Sequence, residues 1–286
     1  MAPHSIIFCG TSAFAVPSLE ALAKDPAFTI DLVITQPDKP VGRSQELTPP
    51  AVKIAAETLG LKIFQPAKLN QEIGSIQIKP DFLIVVSYGQ ILSQEVLDLP
   101  KIAPVNVHAS LLPRWRGASP LQHAILSGDT ESGVTVQKIV KELDAGPILG
   151  QERTAIDPRE TTQTLHDRLA QMGADLLLKT LKHPLNPKEQ DLTKVTLCRK
   201  LTREDGVVDP QTMTAEEIDR KVRALTPWPG VTSVIHDKTI KILETSLDET
   251  PSSIPLPCLG GALYLTRIQE PGKKPMHAKE WRRGLR

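Results

Sequence analysis

The sequence predicts an α/β fold, a mostly parallel sheet covered on both faces, followed by a small all-β barrel. Three observations carry this. Short apolar runs alternate with amphipathic helical stretches over the first part of the chain. A long amphipathic helix then closes that region. Beyond Pro227-Trp-Pro-Gly230 only short β-like runs remain. Continuously apolar strands, rather than strands with one polar face, are the pattern of a sheet buried on both sides.

In order, Ser5–Cys9 is an apolar run closed by Gly10, and a helix from Pro17 turns Leu19 and Leu22 inward. Ile30–Thr35 is a second run, broken by Gln36-Pro-Asp38. Asp81–Val86 and Val105–His108 repeat the pattern, with helices near Ala51–Leu59 and Pro120–Leu126. Gly133–Val140 and Ile148–Ile156 are strands joined through Asp144-Ala-Gly-Pro147. Thr161–Lys182 places Leu165, Leu169, Met172, Leu176 and Leu177 on one helical face. His183–Lys200 has two prolines, several charges and no periodicity, and reads as a linker. Thr214-Ala-Glu-Glu217 is an N-cap signature for a short helix continuing through Val222 and Leu225. Thr232–His236, Thr239–Leu243 and Ala262–Ile268 are the β-runs of the barrel.

The composition sets limits on function. With 286 residues, 40% hydrophobic and 23% charged, the chain is long enough for a full α/β domain and a smaller second one. A net charge of +1 gives no overall pull toward nucleic acid or membrane. The segment Arg267–Arg286, however, holds seven Lys or Arg against two Glu, a local +5. Cys9, Cys198 and Cys258 lack a paired spacing, which points away from a disulfide framework or a thiolate zinc site. The chain shows no signal-peptide pattern at its start and no apolar run of roughly 20 residues, so a cytoplasmic protein is expected, without a membrane partner.

The richest segment for chemistry is Asn106-Val-His108-Ala-Ser-Leu-Leu-Pro-Arg-Trp-Arg-Gly117. Alternate residues of a strand share a face, so Asn106 and His108 point the same way at a predicted strand end. Open α/β sheets build their ligand crevices at that carboxyl edge. An amide donor beside a titratable imidazole suits chemistry at a carbonyl, although either residue alone fits a capping or core role. Arg114, Trp115 and Arg116 suit an anionic or planar ligand, or an exposed loop. Gly10-Thr-Ser-Ala-Phe-Ala15 has one glycine where a dinucleotide fingerprint needs three, which favours a plain strand-to-helix turn. Asp144 alone reads as a turn former. Lys39 and Arg43, in a long loop after a strand, suit a phosphate partner. The basic stretch from Lys273 is a solvated face unless a second positive surface makes it a nucleic-acid footprint.

Together these segments resemble the formyltransferases that use 10-formyltetrahydrofolate. The resemblance is carried by Phe8-Cys-Gly-Thr-Ser-Ala-Phe-Ala15, Thr35-Gln-Pro-Asp-Lys-Pro-Val-Gly-Arg43, Asn106 through Gln122, Leu143-Asp144-x-Gly146 and Pro227-Trp-Pro-Gly230. It runs nearly end to end and implies a Rossmann-like formyltransferase domain at 1–186, a linker at 187–202 and a shortened OB-like tRNA-binding barrel at 203–286. It implies that Asn106, His108 and Asp144 are catalytic and that Ser110, Leu111, Leu112 and Pro113 contact the folate. The expected reaction moves the formyl group of 10-formyltetrahydrofolate, a co-substrate, to the free amino group of methionyl-tRNA, the initiator species. Lys39, Arg43, Arg114, Arg116, Lys273 and Lys274 are the candidate tRNA contacts. Neither a metal nor a prosthetic group is expected, and a monomer is. The chain departs from the family at Ser44-Gln-Glu46, less basic than usual, and at Leu247–Leu259, which reads as a Pro- and Ser-rich bridge in place of a barrel strand. Rival readings are formyl transfer to a small amine, such as a nucleotide-linked amino sugar, and a folate or tRNA binder without catalysis.

Overall fold

The computed structural model describes residues 2–42 and 45–284. It divides into two compact units. The first comprises Met1–Gly117, Ser132–Thr154 and His166–Leu197; the second comprises Ala118–Glu131, Ala155–Leu165 and Cys198–Arg286.

The first unit carries a seven-stranded sheet. Its strands lie in the order Ile148–Ala155, Glu131–Lys138, Ala103–His108, Phe82–Val86, His4–Gly10, Phe28–Ile34 and Ile63–Phe64. From Ala103–His108 to Ile63–Phe64 every pairing is parallel, whereas Glu131–Lys138 runs antiparallel to Ala103–His108. The expected double burial is visible in the first strand, where Ile6, Ile7, Phe8 and Cys9 are all fully buried. Leu19 and Leu22 of the Val16–Lys24 helix and Leu165, Leu169, Leu176 and Leu177 of the Thr162–Leu181 helix are buried, as their spacing requires; Met172 is half-buried. That long helix approaches the Ala103–His108 strand so closely that a Cβ on Gly173 would lie 2.9 Å from Val107 Cγ1. The packing sets the position of the strand that bears Asn106 and His108.

Two local expectations change. The loop after Gln36 contains a short hairpin, Lys39–Val41 against Glu46–Thr48. The 187–202 stretch is bonded to the sheet rather than standing clear of it, since Lys188 and Ile148 exchange both backbone hydrogen bonds, at 2.9 and 2.8 Å.

In the second unit, the Ala215–Leu225 helix opens with the predicted capping box between Thr214 and Glu217 and buries Ile218, Val222 and Leu225. Its antiparallel sheet has the order Val231–Ile235, Lys238–Ser246, Gly261–Gln269, Ile254–Cys258, and Met276–His277 also pairs with Gly261–Gln269. The first hairpin turns through His236 and Asp237, both at positive φ (49° and 59°), which matches the twist of its strands. A curled antiparallel sheet of this kind is the OB-like half-barrel the sequence implied.

The Leu247–Leu259 bridge is corrected: Ile254–Cys258 within it is a strand. Ile254 and Leu256 face the core, while Pro255 and Pro257 alternate outward. It is an edge strand, where a residue without an N–H costs no ladder bond. The basic end of the chain also has more structure than a bare solvated face. Ala278–Arg283 is a helix anchored by buried Trp281, whose Nε1 donates to Glu270 at 3.0 Å, while Arg282 and Arg283 remain exposed.

Candidate active site

Asn106 and His108 lie two residues apart at the carboxyl end of the Ala103–His108 strand. The antiparallel neighbour sets Gln137 opposite Asn106 and Thr135 opposite His108. Four polar side chains therefore share one patch of an otherwise apolar sheet. Beyond His108 the chain leaves the sheet through Ser110–Pro113, with a cis Leu112–Pro113 bond. This exit is pinned from below. Thr135 Oγ1 donates to Ser110 O at 2.7 Å and accepts from Leu112 N–H at 3.2 Å, and Gln151 Nε2 donates to Leu112 O at 2.9 Å. Ser110, almost fully buried, donates its own hydroxyl to Arg114 O at 2.6 Å.

The ring of His108 is held on both sides. Its Nε2 lies 2.9 Å from Trp115 O. A carbonyl only accepts, so Nε2 carries a proton and Nδ1 is the nitrogen left to take up or release one. Nδ1 faces Asp144 Oδ1 at 3.6 Å. The Asp144 carboxylate is held by Gly117 N–H at 2.9 Å and by Gln137 Nε2 at 3.2 Å. Asp144 itself sits at φ 50°, in a turn whose Gly146 leaves no room for a side chain. The three predicted catalytic residues are thus brought together. Among the described residues nothing hydrogen-bonds the side-chain amide of half-buried Asn106, which leaves its N–H donors free beside the imidazole.

The other predicted residues are more scattered. Arg114 is exposed, with its guanidinium 4.4 Å above the Trp115 ring. Arg116 is half-buried and donates to Gln190 Oε1 at 2.8 and 3.1 Å. Lys39 is exposed and bonds Gln36; Arg43 lies outside the described residues. Lys273 and Lys274 belong to the second unit, where Lys273 pairs with Glu270 and Lys274 is exposed.

Sequence reasoning missed Thr135, Gln137, Gln151, Gln190 and Thr196. For the first two a signal existed: polar Thr135 and Gln137 alternate with apolar Val134 and Val136, the same two-residue spacing as Asn106 and His108. Gly89–Ile91, which carry no motif in the sequence, line with Gln36 a pocket of about 370 Å³ at the same sheet edge. Among the described residues no three metal-ligating side chains cluster, and no helix is long and apolar enough to cross a membrane.

A free amide donor, an imidazole with one exchangeable nitrogen and a carboxylate facing it form a centre for group transfer at a carbonyl, able to stabilise an oxyanion and move one proton. Such a set of groups on this fold suits an acyl-type transferase. The chain belongs to the formyl transferase family: the family's main domain matches residues 4–181 and its C-terminal domain matches residues 200–286. A methionyl-tRNA formyltransferase of Geotalea uraniireducens is 41% identical over 308 residues, covering 100% of this chain and 96% of the relative. One of Halorhodospira halophila is 46% identical, covering 83% and 78%. The fold is also that of an N-formyltransferase of Helicobacter canadensis, solved with folinic acid and dTDP-3-aminofucose, with a TM-score of 0.68 at 20% identity over 92% of this chain and 98% of that one.

Proposed function

We propose that this formyltransferase moves the formyl group of 10-formyltetrahydrofolate to the α-amino group of methionine esterified to initiator tRNA. The observation that carries the chemistry is the free Asn106 amide beside His108, with Asp144 across the ring. The tRNA acceptor is supported by end-to-end similarity to relatives that bear that name.

In this reading Asn106, His108 and Asp144 are the catalytic residues. The amine nitrogen attacks the formyl carbon, and the carbonyl oxygen gains charge in the transition state. Asn106 Nδ2–H donates to that oxygen. Free α-amino groups titrate near pH 8, about 7.7–8.0, so a neutral fraction exists at pH 7 and no strong base is needed to create the nucleophile. A new C–N bond forms, the bond from carbon to the folate nitrogen breaks, and one proton passes from the amine to that nitrogen. His108 Nδ1, with Asp144 beside it, relays the proton. Ser110, Leu111, Leu112 and Pro113 form the wall against which the folate rests.

Residues 1–186 act as the catalytic domain, 187–202 as the connector and 203–286 as the tRNA-binding domain. Lys39, Arg43, Arg114, Lys273 and Lys274 meet the tRNA. For Arg116, the bond to Gln190 favours internal support over a tRNA contact. The enzyme acts as a cytoplasmic monomer. Incubation with labelled 10-formyltetrahydrofolate and initiator methionyl-tRNA is expected to yield formyl-methionyl-tRNA, with binding that weakens steeply as salt rises. Folded protein that leaves this tRNA unformylated, yet formylates a nucleotide-linked amino sugar, would transfer the assignment to the small-amine branch.

A further inference from the structure

We infer that Gln190 is a positioning residue for catalysis, tying together the two turns that hold opposite sides of the His108 ring. One is the 113–117 turn, whose Trp115 carbonyl holds Nε2; the other is the 144–146 turn, whose Asp144 faces Nδ1. The inference rests on the reading of His108 and Asp144 as catalytic.

Gln190 comes from the stretch that reads in sequence as a linker, yet it is only 6% exposed. Its Nε2 donates to Asp144 O at 2.8 Å and to Gly146 O at 2.7 Å, with Gln137 Oε1 further off at 3.4 Å. Its Oε1 accepts from Arg116 Nε and Nη2. Guanidinium groups only donate and carbonyls only accept, so the chemistry of the partners fixes which way the amide faces. One side chain thereby links the backbone of the Asp144 turn to the side chain of Arg116, next to Trp115.

The same stretch grips the first turn again at Thr196. Its Oγ1 accepts from Trp115 N–H at 2.9 Å, its carbonyl accepts from Arg116 N–H at 2.9 Å, and its N–H donates to Pro113 O at 3.3 Å. The Lys188–Ile148 backbone pair sets where Gln190 enters. The Asp144 turn contains a non-glycine residue at positive φ, a conformation that persists only when its surroundings hold it. Gln190 is the side chain that holds its carbonyls. Gly117 and Gln137 hold the carboxylate itself, and Gln190, which touches neither ring nor carboxylate, holds the backbone from which the 3.6 Å approach to His108 Nδ1 is made.

Gln190→Glu separates positioning from simple packing. The carboxylate matches glutamine in size and still accepts from Arg116, but it places an oxygen against two carbonyl oxygens and so repels the Asp144 turn. Gln190→Met removes every bond at similar volume. Both are made in the full chain beside Thr193→Ala, an exposed neighbour bonded to Asp191 and not to either turn. For Gln190→Glu we expect kcat to fall by roughly 10- to 100-fold, as for a displacement of about an ångström at a reacting centre. KM for 10-formyltetrahydrofolate stays nearly unchanged, the pH profile of kcat shifts, and the imidazole ¹⁵N signals of His108 move in the folded protein. Thr193→Ala behaves as the parent. Folded Gln190 variants with parental kcat, pH profile and ring signals overturn the inference, and so does failure of both variants to fold, which makes the residue structural only. His108→Ala is assayed alongside. Retained turnover there would refute the catalytic reading itself, whereas its loss together with parental Gln190 variants refutes positioning alone.

Discussion

Gly146→Ala tests how tightly the Asp144 turn is set, and its size can be worked from the geometry. A Cβ at this position would stand 1.7 Å from Lys138 O. An ordinary carbon–oxygen contact is about 3.3 Å, so the turn must withdraw by roughly 1.6 Å. Lys138 cannot yield, because it lies in the sheet and its N–H bonds Pro147 O at 2.9 Å. Asp144 is two residues away and linked to Gly146 through Gln190. If half of the movement, roughly 0.8 Å, reaches its carboxylate, the 3.6 Å approach to His108 Nδ1 widens to roughly 4.4 Å and the close ion-pair contact is lost. A displacement of about 1 Å at a catalytic group costs roughly 10² in rate. Packing strain adds about 1–3 kcal/mol of destabilisation. Initial rates of formyl transfer at saturating substrates, with a thermal melt on the same sample, measure both. A variant with parental kcat and an unshifted melt would show that turnover does not depend on where this turn lies.

Asn106→Ala should lower kcat by about 10²–10³ while leaving the KM of both substrates nearly unchanged, because the lost donor acts on charge that develops only in the transition state; an effect confined to KM would contradict that role. In the second unit, Asp219 is nearly fully buried and accepts from Arg159 at 2.9 and 3.0 Å, Arg223 Nε at 2.8 Å and Thr245 Oγ1 at 2.8 Å. Asp219→Ala removes the carboxylate that faces the largely buried Arg223 guanidinium and should cost about 3 kcal/mol in urea unfolding, the low end of the range for a broken buried pair because Arg223 keeps its bond to Glu160 O and Arg159 reaches solvent; a loss near zero would mean that water replaces the carboxylate. Lys273, Trp281 and Lys238 all donate to Glu270, and together they hold its carboxyl down at about 2. The folded chain therefore binds this proton less readily than the unfolded chain, whose Glu titrates near about 4.3. That stabilisation is complete above the unfolded value and disappears as the pH falls toward 2. Glu270→Gln should thus destabilise the protein at pH 7, with the difference from the parent closing over that acid window in melts; a difference that persists unchanged at low pH would refute the linkage.

Much of the fold was legible because the residues themselves state it. The apolar runs marked the buried strands, and Thr214 with Glu217 marked a helix start by their side-chain chemistry. Asn106 and His108 were legible because strand periodicity and a strand end suffice to place them on one face. Ile254–Cys258 was hidden because its outward positions are prolines, which locally mimic a turn, and only the edge location makes them harmless. Thr135 and Gln137 left a readable trace, but which strand lies beside Asn106 is a long-range fact that no local window contains. Gln190 was the least legible. Its partners are backbone carbonyls and an arginine more than forty residues away, and a carbonyl leaves no mark in a sequence. Asp144 became meaningful only through the family resemblance, since a left-handed turn and an active-site turn are written with the same residues.

The buried hydroxyl of Ser110 has a consequence for the order of events in turnover. It is bonded to Arg114 O, and among the described residues His108 hydrogen-bonds no hydroxyl or thiol. Cys9 is sealed in the sheet, where burial pushes its thiol far above the ordinary range. A covalent relay needs a nucleophile with a base against it, and neither group has one. Neither Ser110 nor Cys9 is therefore equipped to store a formyl group between substrates, and direct transfer with donor and acceptor present together is the expected course. Initial-rate plots for the two substrates should therefore intersect rather than run parallel.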